Sequence, residues 1–467
     1  MSQAFKKVLV ANRGEIAMRI FRACHDLGLQ TIAIYSNEDV YSLFRTAADE
    51  SYLIGENESP LGAYLDIPRI IELAKKHGAD AIHPGYGFLS ENADFARACE
   101  AAGIKFIGPS SQVLDLMGDK LSAKQIAVAC GVPTTPGTTE PLKSREAAQK
   151  LAMEFGFPVI LKAAAGGGGR GMRRCDTVEE VGTNFDLVKA EAKKAFGNDD
   201  IFMEKFLVEP KHIEVQILAD KHGNVYHLGE RDCSLQRRYQ KVVEYAPAWS
   251  VPKATLEKLH ADAVKISKHV GYINAGTVEF LLDPDREHFY FMEMNTRIQV
   301  EHGVTELVTG VDLVRQQLRI ASGLALRLRQ EDVTLQGHAI ECRINAEDPV
   351  QGFRPCPGRV DFLHFPGGPG VRVDSCLYSG CELSPYYDSM AAKILAYAPT
   401  RMETIRRMRR CLEEFTLEGF PTNAELSYQI LYHPEFILGE CTTAFLDEHL
   451  SELLEFSRKL SESGVDA

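Results

Sequence analysis

The 467-residue sequence contains no apolar run of the roughly 20 residues that a membrane-spanning helix requires. Its first ten residues also lack the apolar core of a signal peptide. The sequence has fewer basic than acidic residues: 52 lysines and arginines against 65 aspartates and glutamates give a net charge of −13. This net negative charge does not favour nonspecific binding of polyanions. We therefore expect binding neither to nucleic acid nor to an anionic membrane.

The eleven cysteines are scattered and form no Cys-x-x-Cys pair. This spacing fits neither a zinc site nor a disulfide framework, and it favours reduced thiols in a cytoplasmic protein.

Two nucleotide-binding signatures are also missing. Only Gly14 follows the first predicted strand, where a dinucleotide fold carries G-x-G-x-x-G, and no Gly-Lys-Ser/Thr follows the later glycine run, which excludes a Walker loop.

The sequence does contain a long alternation of apolar strands and amphipathic helices over residues 6–110, which is typical of a doubly wound α/β domain. Prolines and glycines at 133–137 mark a break, and a smaller α/β unit follows, up to about Glu204. Beyond it we expect a larger, mainly antiparallel sheet with helices. The predicted strands are 8–11, 31–35, 81–83, 105–107, 202–206 and 212–218, and the predicted helices are 15–27, 66–77, 92–102, 115–132, 309–322 and 401–415.

The most informative stretch is GTVEFLLDPDREHFYFMEMNTRIQVE, at residues 276–301. Two apolar runs flank the turn-rich segment DPDRE, which predicts a β-hairpin. In that hairpin Glu279 and Glu293 lie opposite each other, to within one residue of register. Two adjacent carboxylates are unfavourable unless a cation lies between them, and oxygen ligands of this kind suit Mg²⁺. The pattern therefore predicts a divalent-metal site.

A second polar pattern starts at the same glutamate. From Glu293 to Glu301 every odd position is polar or charged. An extended chain has a period of two, so one face would carry two carboxylates, two amides and a guanidinium in a row. The alternative is a solvated strand face with an Arg–Glu ion pair. The acidic pair next to this row favours a functional site.

Two glycine-rich segments are candidate ligand loops. A predicted strand ends at Lys162 and is followed at once by the glycines at 166–169 and by Arg170, an arrangement that suits a loop covering phosphate groups. A flexible linker is the alternative. The segment PGYGF, at residues 84–88, is either a ligand loop at a strand end or a structural turn.

Several motifs in one order resemble biotin carboxylase, an ATP-grasp enzyme, over about residues 4–450. They are KVLVANRGEIAMRI, HPGYGFLSEN, GDK, KAAAGGGGRGM, KHIEVQ, ERDCSLQRR, QKVVE, EMNTRIQVEH and ECRINAEDP. The resemblance implies an ATP-grasp fold of mixed α/β and α+β class. It implies an N-terminal doubly wound domain at 1–115, a lid domain at 130–205 and a mainly antiparallel C-terminal catalytic region at 206–450.

The resemblance also implies an ATP- and Mg²⁺-dependent (or Mn²⁺-dependent) ligase that carboxylates biotin with bicarbonate. Glu301 would be the general base and Arg343 the cation that holds the biotin ureido oxygen, although an ion pair with Glu341 on a strand edge is the simpler expectation for Arg343 by itself. The metal ligands implied are Glu279, Glu293 and Asn295, and the bicarbonate residues are Lys241, Arg297, Gln299 and Val300. The nucleotide-binding residues implied are Lys120, Lys162, Gly167, Gly168, Glu204, Lys205, Leu207, His212, Gln236 and Tyr239.

The mechanism implied begins when Glu301 deprotonates bicarbonate, which attacks the γ-phosphate and forms carboxyphosphate. Carboxyphosphate then breaks down to CO₂ and phosphate beside biotin. That phosphate takes the ureido proton while Arg343 stabilises the enolate-like oxygen, and the nitrogen attacks CO₂. A glutamate is a weak base for bicarbonate. Lys241 and Arg297 must therefore stabilise the developing dianion.

The partners expected follow from what the 467 residues do not include, namely an Ala-Met-Lys-Met biotinylation segment and a carboxyltransferase region. We expect biotin on a separate carrier protein, separate carboxyltransferase subunits and a homodimer. The first hypothesis is the biotin carboxylase subunit of acetyl-CoA carboxylase, in fatty acid biosynthesis. A pyruvate or other acyl-CoA carboxylase comes second, another ATP-grasp ligase third, and the intact charged set argues against a silent regulatory subunit.

Three positions depart from the family pattern. Ala165 stands where the glycine run usually begins, Tyr239 where many members have histidine, and Gly303 where proline is common. Tyr239 either donates to the nucleotide or packs its ring on the sheet. None of the three is a predicted base or metal ligand, so we expect them to affect nucleotide affinity and loop rigidity only.

Overall fold

The computed structural model describes residues 5–56, 58–138, 140–164 and 171–462. Five parallel strands form the first sheet in the order β3-β2-β1-β4-β5. The strands are β1 (Lys7–Val10), β2 (Gln30–Tyr35), β3 (Glu50–Leu53), β4 (Ala81–His83) and β5 (Lys105–Phe106). Of these only β3 was not predicted from the sequence, because ESYL is a half-buried edge strand without an apolar run.

Helices cover both faces of this sheet. They are α1 (Gly14–Asp26), α2 (Leu43–Ala47), α3 (Pro60–Leu65), α4 (Ile67–Lys76), α5 (Ala93–Ala101) and α6 (Ser111–Gly118). Val8 and Val10 of β1 belong to one apolar cluster, and Leu9 between them belongs to another. Because successive strand residues point to opposite faces, this confirms the doubly wound arrangement.

The next unit contains an antiparallel sheet of three strands in the order β7-β6-β8. Its elements are α7 (Lys120–Ala129), α8 (Arg145–Phe155), β6 (Val159–Ala163), β7 (Met172–Cys175), α9 (Val178–Phe196) and β8 (Ile201–Lys205). The strand predicted at 202–206, at the start of the expected larger sheet, is β8; it pairs with β6 in this small sheet, so that placement was wrong. Local alternation predicts that a segment is a strand but not which strand it pairs with.

The largest sheet has eight antiparallel strands in the order β13-β12-β9-β10-β11-β14-β19-β18. These strands are β9 (Lys211–Ala219), β10 (Val225–Arg237), β11 (Gln240–Ala246), β12 (Asn274–Leu282), β13 (Phe289–Asn295), β14 (His338–Asn345), β18 (Val371–Ser375) and β19 (Met390–Ala398). Two small ribbons pair β15 (Glu347–Asp348) with β16 (Arg354–Pro355) and β17 (Phe362–His364) with β20 (Thr416–Glu418). The predicted antiparallel sheet is confirmed.

Seven α-helices pack around this sheet in the described residues. They are α10 (Lys253–His269), α11 (His302–Thr309), α12 (Leu313–Ala321), α13 (Arg401–Glu414), α14 (Ala424–Ile430), α15 (Pro434–Leu438) and α16 (Phe445–Glu462), and two short 3₁₀ turns lie at Asn37–Asp39 and Gln330–Asp332. The single helix predicted at 309–322 was wrong. Gly310 ends α11 with a φ of 71°, and the Asp312 side chain caps α12, so the chain turns between two helices.

All eleven cysteines are free, as predicted. Among the described residues, no helix combines the length and the apolar character needed to span a membrane. Each of the three main sheets lies inside one of the three predicted domain ranges. The division at 1–115, 130–205 and 206–450 itself stays a prediction.

Candidate active site

The predicted hairpin is present as β12 and β13, and Glu279 pairs directly with Glu293 across it. The extended row predicted beyond Glu293 is only partly correct, because β13 ends at Asn295. There the Thr296 amide donates to the side chain of Glu91 instead of continuing the ladder. The odd-numbered side chains from 293 to 301 nevertheless line one cleft, as the alternation predicted.

This cleft has a volume of about 950 Å³ and lies between the small three-stranded unit, the N-terminal domain and the eight-stranded sheet. Every predicted site residue that the structure describes lines it. They are Lys120, Lys162, Glu204, Lys205, Leu207, His212, Gln236, Tyr239, Lys241, Glu279, Glu293, Asn295, Arg297, Gln299, Val300, Glu301 and Arg343. Gly167 and Gly168, with the departure at Ala165, lie outside the described residues.

Lys241, near the start of β11, is the cation at the centre of the cleft. Its Nζ lies 2.6 Å from Glu214 Oε2, 2.6 Å from Glu301 Oε1 and 3.1 Å from Glu279 Oε1. Burial by itself lowers the pKa of Lys241, but the surrounding acidic groups hold it well above its usual value. The ammonium therefore stays charged and draws three carboxylates to one point.

Glu301 is fully buried at the position just before α11. One carboxylate oxygen contacts Lys241, and the other accepts from Arg343 Nη2 at 2.9 Å. Burial raises the pKa of Glu301, but the charges of Lys241, Arg343 and Arg231 outweigh burial and hold it well below its usual value. The side chain is thus an ionised carboxylate held at both oxygens, which is the state that a general base requires.

Arg343 lies on β14, an interior strand, and it does not pair with Glu341. Its Nε donates to Glu244 Oε1 at 2.6 Å, while Nη2 reaches Glu301. The expectation of a strand-edge ion pair with Glu341 is therefore wrong, because β14 is an interior strand and the guanidinium is held by Glu244 of the neighbouring strand β11 and by Glu301. Burial raises the pKa of Glu244 to about 7 against the opposing charge of Arg343.

A chain of amide and guanidinium groups lines the cleft beside Glu279. Arg297 donates to Gln299 Oε1 at 2.9 Å and to Asn295 Oδ1 at 3.1 Å, and its Nε is held by Glu91 Oε2 at 2.9 Å. The amide nitrogens of Asn295 and Gln299 both donate to Glu279 Oε1. These bonds fix the orientation of both amides, so their oxygens and the guanidinium face the cleft in set positions.

In the acidic pair, the pKa values of Glu279 and Glu293 are shifted in opposite directions. Burial raises the pKa of Glu279, but Lys241 and His212 outweigh it and hold the pKa well below its usual value. At Glu293, burial and the charge of Glu279 raise the pKa. In the described residues Glu293 forms an ion pair only with Lys120, at the long distance of 4.0 Å, and His212 adds a smaller opposing charge. Together with the Asn295 amide, this pair provides hard oxygen donors and an uncompensated negative charge, which fits a divalent cation such as Mg²⁺.

The other end of the cleft is built from β6, β8 and α7. Glu204 Oε2 lies 2.5 Å from Lys162 Nζ, and Glu204 Oε1 lies 3.0 Å from Lys124 Nζ. Burial raises the pKa of Glu204, but these two lysines lower it to about 2. Lys205 also lines the cleft, and its Nζ donates to the carbonyls of Gly156 and Phe157.

Tyr239 occupies the two-residue turn between β10 and β11, with a φ of 66°. The preceding Arg238 also has a positive φ, so the turn has the backbone conformation typical of tight β-hairpins. The Tyr239 side chain is 56% exposed and lines the cleft, so its ring is not buried against the sheet. Its contact with a nucleotide stays a prediction.

Sequence reasoning missed four charged residues that hold the site together: Glu91, Glu214, Arg231 and Glu244. Glu214 joins Lys241 to Arg231, and Arg231 is fully buried and also bonds Gln216, Thr277 and Thr305. A usable signal was present in β9, whose KHIEVQILA has Glu214 and Gln216 between fully buried neighbours. Polar residues inside an otherwise apolar strand are rarely buried without partners.

The comparisons with known proteins agree with this architecture. Residues 4–114 match the family model "Biotin carboxylase, N-terminal domain", 119–329 match "Carbamoyl-phosphate synthase L chain, ATP binding domain", and 341–448 match "Biotin carboxylase C-terminal domain". Biotin carboxylase 1 of Bacillus subtilis is 50% identical, over 95% of this chain and 98% of its own. Mouse mitochondrial pyruvate carboxylase is also 50% identical over 95% of this chain, which spans only 38% of that protein.

The solved structures give the same result. The biotin carboxylase domain dimer of the Hydrogenobacter thermophilus 2-oxoglutarate carboxylase, in complex with MgADP, ADP and bicarbonate, superimposes with a TM-score of 0.93 and 51% identity, over 97% of this chain and 99% of that one. The fold and the cleft thus define an ATP-grasp enzyme, an ATP-dependent carboxylating ligase. The chain belongs to the biotin carboxylase family.

Proposed function

We propose that this chain carboxylates biotin held on a separate carrier protein, using ATP, Mg²⁺ and bicarbonate. The observation that carries the proposal is the position of Glu301, an ionised and fully buried carboxylate held between Lys241 and Arg343 at the floor of the cleft. A base between two cations can take a proton from an anion, because the cations offset the repulsion between the two negative charges.

Glu279, Glu293 and Asn295 would hold Mg²⁺, which when bound would neutralise phosphate charge. Lys120 and Lys162 would contact the phosphates, and Glu204, Lys205 and Leu207 would frame the adenine. His212, Gln236 and Tyr239 would lie along the nucleotide. This assignment rests on the acidic pair of the hairpin and on the common cleft that these side chains line.

Bicarbonate would bind between Lys241 and Arg297, with Gln299 and the backbone of Val300 beside it. Glu301 would accept the bicarbonate proton, and the two cations would stabilise the dianion that then attacks the γ-phosphate. The Arg297 guanidinium is already aimed by Glu91 and Gln299, so little reorganisation is needed. Lys393 Nζ donates to the Val300 carbonyl at 2.7 Å and fixes the backbone there.

Arg343 would hold the ureido oxygen of biotin while the released phosphate takes the ureido proton and the ring nitrogen attacks CO₂. Its Nε–Glu244 bond orients the guanidinium, and its contact with Glu301 supports a biotin site next to the proposed bicarbonate site. A guanidinium stabilises negative charge that develops on this oxygen in the transition state. The same residue would thus connect the two half-sites.

The test of this function is phosphate release from ATP by the purified chain with free biotin. We expect release that requires Mg²⁺ and rises when bicarbonate and biotin are both present. The control omits bicarbonate from degassed buffer. If neither bicarbonate nor biotin stimulates ATP cleavage, the chain is a different ATP-grasp ligase or a silent regulatory subunit.

Glu293→Gln is expected to raise the Mg²⁺ concentration needed for half-maximal ATP cleavage, because one negative charge of the metal site is removed. We expect a shift of about tenfold or more, since even outer-sphere partners of a metal contribute about 10–100-fold to its affinity. Magnesium titrations at fixed ATP measure it. Glu287→Gln, in the exposed turn of the same hairpin, is the control and should titrate like the wild type. Unchanged titrations for both would place the metal elsewhere.

For the acceptor of the carboxyl group we propose acetyl-CoA, with this chain as a subunit of a fatty-acid-forming acetyl-CoA carboxylase. The similarity to the Nostoc protein named biotin carboxylase, over nearly its whole length, supports a separate subunit. The 2-oxoglutarate carboxylase domain is equally similar, so 2-oxoglutarate is the second candidate, with pyruvate beside it. A homodimer is proposed because that domain is described as a dimer. Identifying the carboxyltransferase that copurifies with the chain decides among the acceptors.

A further inference from the structure

We propose that His433, His449 and Glu452 bind one divalent transition-metal ion, of the Zn²⁺ type, between the last two helices of the described chain. This position is separate from the cleft, since none of the three residues lines it. The assignment concerns a structural site and does not depend on the acceptor or on the reaction proposed above.

The geometry brings one ligand atom of each residue together. His433 precedes α15 as its N-terminal cap, whereas His449 and Glu452 are three residues apart on one face of α16. One nitrogen from each histidine and one Glu452 oxygen lie within 4.8 Å of one another. The two imidazole rings have centroids 4.4 Å apart. Small side-chain rotations would close such a triangle around an ion with bonds of about 2.0–2.2 Å.

A second observation points to a ligand. His449 Nε2 lies 3.0 Å from Glu435 Oε1, and His449 Nδ1 lies 3.8 Å from Glu452 Oε2. A metal-binding histidine usually donates its other ring N–H to a carboxylate, which fixes the tautomer and makes the ligating nitrogen more basic. Glu435 provides that carboxylate, so the Nδ1 lone pair of His449 is directed to the same side as Glu452.

The charges favour a cation at this place. Glu435 and Glu452 place two carboxylates beside the pair of imidazoles, so a bound cation would meet opposing negative charge. Two nitrogens and one oxygen suit Zn²⁺, whereas Mg²⁺ and Ca²⁺ prefer oxygen ligands throughout. A water molecule would complete a four-coordinate ion.

A metal ion at this site would stabilise the packing of the C-terminal helices α15 and α16 on the strands beneath the active site. Phe436 of α15 and Phe445 of α16 belong to the same apolar cluster as Val243 of β11 and Cys342 of β14. These two strands carry Lys241 and Arg343. A bound ion would therefore stabilise the packing behind the cleft without entering the chemistry.

The experiment is a calorimetric titration of the full chain with ZnCl₂ in excess Mg²⁺, with a thiol-free reductant. We expect one Zn²⁺ per chain, lost in His449→Gln and in His433→Asn, because each removes a direct ligand. Glu435→Gln should keep the site but weaken it by about 10–100-fold, the usual effect of an outer-shell carboxylate. ATP cleavage without zinc should equal that of the wild type in all three variants, which shows that they are folded.

His288→Ala is the matched control, because His288 also contacts a carboxylate, Asp285, at 2.6 Å but is not one of the clustered ligands. It should bind zinc as the wild type does. Equal zinc stoichiometry in wild type and His449→Gln would overturn the proposal. Titration with Co²⁺ gives the second readout: a thiolate charge-transfer band would mean that the metal sits on cysteines and would also overturn it.

Discussion

Glu301→Gln is expected to remove most of the bicarbonate-dependent ATP cleavage, by about 100- to 10,000-fold, while ATP still binds. The glutamine keeps the volume of the side chain and one acceptor oxygen for Lys241 or Arg343, so the pocket stays filled. It cannot accept a proton, however, and the second cation loses its anionic partner. The loss should therefore appear in kcat rather than in the affinity for ATP.

The measurement is single-turnover phosphate release with saturating bicarbonate, beside ATP binding measured by calorimetry. Glu382→Gln is the control, because Glu382 is an exposed carboxylate that lines the same cleft. It should behave like the wild type. Near-normal turnover in Glu301→Gln would mean that another residue is the general base. Glu244, with a pKa of about 7, would then be the next candidate.

The parts of the fold that could be predicted from sequence are those set by local chemistry. Asp66 caps α4 and Pro68 follows in its first turn, so that helix was predicted to within one residue at each end. The hairpin of β12 and β13 was predicted for the same reason, because its turn residues and both apolar runs are adjacent in sequence. The pairing of β8 with β6 was missed because it joins segments that are far apart, and periodicity does not encode partners.

The candidate site likewise contains features that the sequence predicts and contacts that it does not predict. The side chains of Glu293, Arg297 and Glu301 share a face because of their spacing, and that spacing can be predicted from the sequence. The residues that orient them come from elsewhere: Glu91 reaches Arg297 across 206 positions, and Lys241 contacts Glu301 across 60. Such contacts depend on how sheets and domains pack, and no local pattern specifies them.

One consequence is that the stability of the molecule and the arrangement of its site depend on the same buried charges. Arg231 is fully buried and donates to Glu214, which in turn contacts Lys241. Lys241 then holds Glu301 and Glu279. Loss of Arg231 would therefore disturb the packing of β10 against β9 and also the position of Lys241.

Arg231→Met is accordingly expected to destabilise the chain by about 3–5 kcal/mol, the usual cost of removing one partner from a buried ion pair. Glu214 retains Lys241, which places the expected value near the lower limit, but the hydroxyls of Thr277 and Thr305 and the Gln216 amide oxygen also lose a donor. The urea midpoint of the far-ultraviolet signal measures the loss. Arg315→Met, on the exposed face of α12, is the control and should change it little.

The double variant Arg231→Met, Glu214→Gln separates charge from packing. If the unpaired charge of Glu214 causes the loss, neutralising it should restore part of the stability, because a buried amide costs less than a buried carboxylate without its partner. If the loss comes instead from poor packing of the methionine side chain, adding Glu214→Gln should lower the stability further. An Arg231→Met midpoint equal to that of the wild type would mean that Lys241 alone balances Glu214, and that Arg231 does not support the site.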